Sequence, residues 1–306
     1  MKHTLKVTIA LVLFFLIAQV VGLLIVKHYI NINKTTETKK IAWEPLPYNL
    51  ERPEVKNEST SFIYITIAIM IGTVLVLLLI KFNKGFIWKL WFFVTVWLTL
   101  SIAFAAFINN VIAAILALII SILKLYKPNV IIQNFSEIFI YGGLAAIFVP
   151  IINLFAAFML LIVMSVYDFF AVFKTKHMIK LAKFQSKSKI FAGLLIPYER
   201  GKISAREIQA PKSKIKKEAI SSHKQSVAVL GGGDIGFTLI FAGVVMKSLM
   251  LQETVFIGFL KTLIIPIFVS FALLILLLKG QQNKFYPAMP ILSLGCFIGY
   301  LIVLLV

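Results

Sequence analysis

The sequence predicts an all-α polytopic membrane protein with nine transmembrane helices, its N-terminus inside and its C-terminus outside. Three observations carry that expectation: composition, the length of the apolar runs, and the placement of basic residues. Of 306 residues, 60% are hydrophobic and 14% charged, where soluble domains hold about 45–50% and about 25%. A disordered chain, a disulfide scaffold and an ordinary soluble enzyme are excluded on that ground. The single cysteine, Cys296, permits no bridge within one chain and no Cys-rich metal site.

A spanning helix needs about 20 apolar residues, and nine runs approach that length. They are Val7 to Val26, Ser61 to Ile80, Phe86 to Ile108, Val111 to Leu125, Val130 to Phe148, Ile151 to Phe173, Ser226 to Met246, Val255 to Leu278 and Phe285 to Val306. Only Pro150 separates the fifth run from the sixth. Lys2, His3 and Lys6 precede the first run, as they would in a signal peptide. Its apolar stretch is too long for one and no A-x-A site follows, so a retained helix is expected.

Basic residues give the orientation. The net charge is +19, and fourteen Lys/Arg against three glutamates (Glu199, Glu207, Glu218) fall between Lys174 and Lys224. In a soluble protein such a segment suggests nucleic acid. Between membrane spans it marks a cytoplasmic loop, with a nucleic-acid or lipid-headgroup role as the lesser alternative, and no nucleic-acid partner is expected. Alternation then puts Lys81, Lys84, Lys124, Lys127, Lys279 and Lys284 inside as well. Asn109–Asn110 and Pro150 lie in outer connections without basic residues. The outer segment Asn31 to Thr60 balances five basic residues with five glutamates. The chain divides into 1–173 (six helices), 174–225 (basic cytoplasmic loop) and 226–306 (three helices).

Ten of the twelve acids are glutamate; the two aspartates are Asp168 and Asp234, both inside expected spans. A charge in hydrocarbon costs about 2.5–3.5 kcal/mol on insertion scales, so such residues face a bundle interior and act there. The plainer alternative is a carboxyl bonded to a neighbouring helix. Asp168 lies about 8 Å from the inner end of the sixth span and Asp234 about 12 Å from that of the seventh, at 1.5 Å per residue. At similar depth on adjacent helices, the two can meet. Two carboxyls in a low-dielectric site share one proton near neutral pH. The ionised member can take a proton from water while the protonated one polarises a carbonyl. That chemistry needs no metal, cofactor or covalent intermediate.

Gly231, Gly232 and Gly233 precede Asp234, and Gly236 follows. Glycines here expose backbone to an approaching strand or let helices pack closely. The run also reads G-x-G-x-x-G, but no Rossmann unit accompanies it. Tyr286-Pro287-Ala288-Met289-Pro290 opens the ninth span. Its prolines mark a helix start, or backbone groups presented to a substrate. Gly295 and Gly299 form a GxxxG packing motif. Ile190 to Arg206, an apolar run followed by a Gly-Lys turn, reads as a helix extension or a β-hairpin whose edge could pair with an unwound substrate; a solvated loop is the alternative.

Together these patches resemble the presenilin and signal-peptide-peptidase family of intramembrane aspartyl proteases, whose pattern is Y-D in the sixth helix, G-x-G-D in the seventh and P-A-L at the ninth. The chain has Tyr167-Asp168, Gly231-Gly232-Gly233-Asp234 and Pro287-Ala288-Met289, with Met289 where leucine is usual. Tyr167 to Met178 is similar to the archaeal presenilin homologues, and the inside placement of the basic loop to presenilins generally. The resemblance implies a catalytic dyad of Asp168 and Asp234. It implies substrate contacts at Tyr167, Gly231, Gly232, Gly233, Pro287, Ala288 and Met289. It also implies a single-pass transmembrane substrate in the lipid, unwound and cut near the inner surface, no obligatory partner subunits, and residence in an archaeal plasma membrane.

Rival protease chemistries lack their motifs. No His is followed by Glu, so H-E-x-x-H is absent, and no Gly precedes a Ser by two residues, so G-x-S is absent. The four histidines (His3, His28, His177, His223) lie at helix ends or in loops. A proton- or cation-coupled transporter using the aspartates, with Glu137, Glu253 and Lys261 on its path, is the competing class. An inactive peptide-binding relative is the third.

Overall fold

The computed structural model describes residues 5–38, 40–55, 57–82, 84–174, 191–197, 227–280 and 286–306. Eleven α-helices run through them: α1 (Leu5–His28), α2 (Ile32–Thr38), α3 (Ser61–Lys81), α4 (Gly85–Ala105), α5 (Asn110–Tyr126), α6 (Val130–Phe148), α7 (Leu154–Phe173), α8 (Gly232–Gln252), α9 (Val255–Thr262), α10 (Ile264–Lys279) and α11 (Met289–Leu305). Two strands, β1 (Gly193–Pro197) and β2 (Val227–Gly231), pair antiparallel. The described residues are thus mostly helical, with one antiparallel strand pair beside the helices.

Each of the nine apolar runs is helical over most of its described part. Seven are long and apolar enough to cross a membrane, counting α9 and α10 as one span, Val255–Lys279; α5 and α11 are shorter, at 17 residues each. The helices begin where the sequence supplies caps. Asn109, Asn129 and Asn153 each accept a hydrogen bond from an amide in the first turn of α5, α6 and α7, satisfying one of the donors a helix start leaves open. The expected eighth span bends at Leu263, where α9 gives way to α10. Pro266, without an N–H, cannot continue the α-helical ladder there.

α8 is the innermost helix and α3 the outermost. α1 packs against α6, α8 and α10; α7 contacts α8, α11 and α3; and α4 lies between α5 and α6. Glycine makes the closest approaches. A Cβ on Gly143 would stand 2.0 Å from the Thr99 carbonyl oxygen of α4. Cβ atoms on Gly295 and Gly299 would meet the α10 backbone at 3.1 Å (Val269 Cα) and 3.0 Å (Ile265 Cα), so the GxxxG motif is a packing face. Large apolar side chains such as Phe86, Ile131 and Leu301 cover the outside, a surface suited to lipid.

At one end of the bundle, Tyr29 donates a hydrogen bond to the Ile102 carbonyl at 2.7 Å. The Arg52 guanidinium lies over the Tyr29 and Trp43 rings, 6.0 and 5.7 Å from their centroids. Burial pushes the Tyr29 phenol far above its usual range, so it remains a donor. Lys247 joins Glu58 at 2.9 Å and the Pro150 carbonyl at 3.1 Å. The strand pair lies at the other end.

One expectation is corrected there and another is narrowed. The seventh span was expected from Ser226, but Val227 to Gly231 are a strand and the helix begins at Gly232. Three consecutive glycines disfavour continuing a helix backwards, and the apolar Val-Ala-Val-Leu run pairs with β1 instead. Of the readings for Ile190 to Arg206 (helix extension, β-hairpin or solvated loop), the described part holds a strand, β1, whose partner is β2, in the register Gly193↔Gly231, Leu195↔Val229, Pro197↔Val227. The Gly-Lys turn and nearly all of 174–225 lie outside the described residues.

Candidate active site

Asp168 is on α7, five residues before its end, and is 9% exposed. The amide of Met289, first residue of α11, donates to Asp168 Oδ2 at 3.1 Å, and Ala288 supplies a second backbone contact. One turn earlier on α7, Ser165 shares a 2.9 Å hydrogen bond with Ser293 of α11, which fixes the two helices beside the carboxyl.

Asp234 is the third residue of α8, in its first turn rather than the two turns deep that the expected start at Ser226 implied. The positive end of the helix dipole therefore faces its carboxyl. A Cβ on Gly231 would stand 3.3 Å from Asp234 Oδ2, so the carboxyl folds back over the strand–helix junction. Asp234 and Asp168 lie within electrostatic reach of each other, brought together by the contact of α7 with α8. Two carboxyls so placed repel when both are charged.

The other expected residues distribute around this pair. Pro287, Ala288 and Met289 line the Asp168 side, with the Met289 side chain buried. Gly231 and Gly232 form the junction itself, and Gly233 is exposed. The Tyr167 hydroxyl shares a 3.3 Å hydrogen bond with Thr73 of α3.

Sequence reasoning missed several polar side chains that hold the junction. Gln19 of α1 donates to the Ile235 carbonyl at 3.0 Å and to Thr238 Oγ1 at 2.8 Å, securing the second turn of α8. Asn134 of α6 donates to the Leu195 carbonyl at 2.8 Å and accepts from the Leu195 amide at 2.9 Å. Gln133 donates to the carbonyls of Phe191 and Gly193, both at 2.9 Å. Their signal was available: an uncharged amide inside an apolar span is costly unless it finds a partner.

The fold is that of a polytopic helical membrane protein, with its two aspartates on contacting helices. The family model described as signal-peptide peptidase, presenilin aspartyl protease matches residues 12–306. The chain belongs to that family. Two solved structures of a presenilin family intramembrane aspartate protease share the fold. One, in space group C222, has a TM-score of 0.58 at 20% identity, covering 97% of this chain and 98% of its own. The other, in P2, has a TM-score of 0.56 at 18% identity, covering 97% and 96%. No curated protein matches the chain in sequence.

Proposed function

We propose that the chain is an intramembrane aspartyl endopeptidase of the GxGD type, which hydrolyses peptide bonds of single-pass transmembrane substrates through Asp168 and Asp234. The observation that carries this reading is the apposition of the chain's two aspartates across α7 and α8, with one carboxyl oxygen of Asp168 already engaged by the Met289 amide. The pair holds one proton. The ionised carboxylate removes a proton from water as the water attacks the scissile carbonyl. The protonated partner donates to the carbonyl oxygen, and the resulting gem-diol collapses with a proton delivered to the leaving amine.

The substrate must unwind for its carbonyl to be reached, and an unwound segment needs hydrogen-bond partners in a medium without water. β2 offers them. It has one strand neighbour among the described residues, and Val229, opposite Leu195, is 48% exposed. Because Leu195 turns its amide and carbonyl to Asn134, the facing pair is the non-hydrogen-bonded kind, and Val229 turns its own outward. An added substrate strand would pair there.

We read nine spans with the N-terminus inside and the basic loop 174–225 cytoplasmic, in the plasma membrane of an archaeon, acting on lipid-embedded substrates without obligatory subunits. The transporter reading loses its path. Glu253 and Lys261 pair with each other at 2.5 Å across the α8–α9 corner, at the end of α8 opposite Asp234.

The test is cleavage of a single-pass peptide by purified protein, beside Asp168→Ala and Asp234→Ala. Wild-type cleavage that each substitution abolishes, by at least about a thousandfold, with folding retained, is expected. Equal cleavage in all three would sink the assignment.

A further inference from the structure

Glu137 of α6 is a buried acid outside the dyad, held among the described residues by three side chains. Lys124 of α5 pairs with its Oε1 at 2.5 Å, and the two side chains are 2% and 1% exposed. Gln133 donates to the same oxygen at 2.8 Å. Tyr141, one turn further along α6, donates to Oε2. Lys124 is further held by Ser136 Oγ at 2.8 Å.

The far side of Tyr141 meets α8. A Cβ on Gly232 would stand 2.3 Å from the Tyr141 hydroxyl, and one on Gly236 would stand 3.6 Å from Cδ1 of its ring. Two glycines four residues apart therefore form a slot on one face of α8, and the tyrosine fills it. Asp234 lies between them in sequence.

Beyond the Gly232 amide, which donates to the Ala192 carbonyl at 3.3 Å, and the Gln19 and Thr238 bonds to the carbonyls of Ile235 and Asp234, that turn has little of its own to fix it. Gly231 provides no side-chain cap, and residues 231–233 carry no side chains to pack. First turns fray when their open amides lack partners. The same cluster grips the turn from its other side: the Gln133 amide that bonds Glu137 also bonds the Gly193 carbonyl, and Gly193 is the β1 partner of Gly231.

We propose that Tyr141 is a positioning residue of the dyad. Held by Glu137 against the Gly232–Gly236 slot, it sets the orientation in which α8 presents Asp234, while Lys124 and Gln133 fix Glu137. The inference rests on Asp234 being catalytic. It makes the Lys124–Glu137 pair part of the active-site scaffold and not of an ion path.

Stability and positioning can be separated. Glu137→Leu combined with Lys124→Met removes the buried charges together and keeps the volume, which leaves folding intact or improved, but Tyr141 loses its acceptor. Glu137→Gln combined with Lys124→Gln also removes both charges yet keeps an acceptor. Tyr141→Phe removes the hydroxyl alone.

With the full-length protein and a single-pass peptide, we expect the apolar pair and Tyr141→Phe to lower kcat about ten- to hundredfold. KM should stay within about twofold, since displaced catalytic groups lose transition-state and not ground-state contacts. The amide pair should retain kcat within about threefold, whatever the order of thermal midpoints. Wild-type kcat in Tyr141→Phe or in the apolar pair would overturn the inference and leave the dyad standing. Activity that follows the thermal midpoint across all three variants would overturn it too, as a purely structural role. An inactive wild type would sink the dyad reading itself.

Discussion

At the residue scale, Met289 separates what a motif names from what it does. Its side chain is buried, but its contact with Asp168 is made by the backbone amide at 3.1 Å. The side chain only has to fill its site, and methionine and leucine are close in volume. Met289→Leu is therefore expected to keep wild-type kcat and to change stability by less than about 1.5 kcal/mol. Met289→Pro, which removes the N–H, should abolish cleavage; an active Met289→Pro enzyme would show that the amide contact is dispensable. The aspartates and the Pro-Ala-Met step were legible in the sequence because charges and prolines are rare and costly in a span. Gln19 and Asn134 stood out as amides inside spans, but their partners on α8 and β1 did not, being distant in sequence; nor did the α8 slot that Tyr141 fills.

At the element scale, the glycines range from those a neighbouring backbone requires to those nothing touches. Gly143 faces the Thr99 carbonyl, and Gly72 has no atom near its missing Cβ. Gly143→Ala must push α6 from α4 and should destabilise by about 1–3 kcal/mol, read as a lower thermal midpoint in detergent. Gly72→Ala should be neutral or stabilising by about 0.5–1 kcal/mol. Equal midpoints would contradict the packing. The strand pair gives a second test. Proline at 229 removes an outward donor and no β1–β2 bond, so Val229→Pro should raise KM severalfold for a peptide that must unwind, with the midpoint unchanged. Unaltered KM would remove β2 as the docking edge. Helices were legible as elements because length and apolarity set them. The β2 start was not, since an apolar strand running into an apolar helix reads as one span until the glycines intervene.

At the scale of the whole molecule, charge asymmetry predicts orientation while packing brings the site together. Cys296 is buried, which leaves a quiet background for labelling. A Ser213→Cys variant should react with a membrane-impermeant maleimide in lysed cells and not in intact ones. Reaction in intact cells would invert the topology. The family match over 12–306 and the seven long apolar helices agree with the class legible in composition. The polar scaffold behind the dyad was not legible as a unit. It draws on α5, α6, β1 and α8, whose association is a property of the folded bundle.

Asn134 deserves a last consequence. By bonding both the amide and the carbonyl of Leu195, one side chain does for β1 what a third strand would do. The ribbon therefore has a single growing edge, on β2. An exposed edge ordinarily templates endless stacking. When a second copy adds through its own β2, the outer edges left are the two β1 strands held by Asn134, so association of copies through this surface closes at a pair and does not propagate into a fibre.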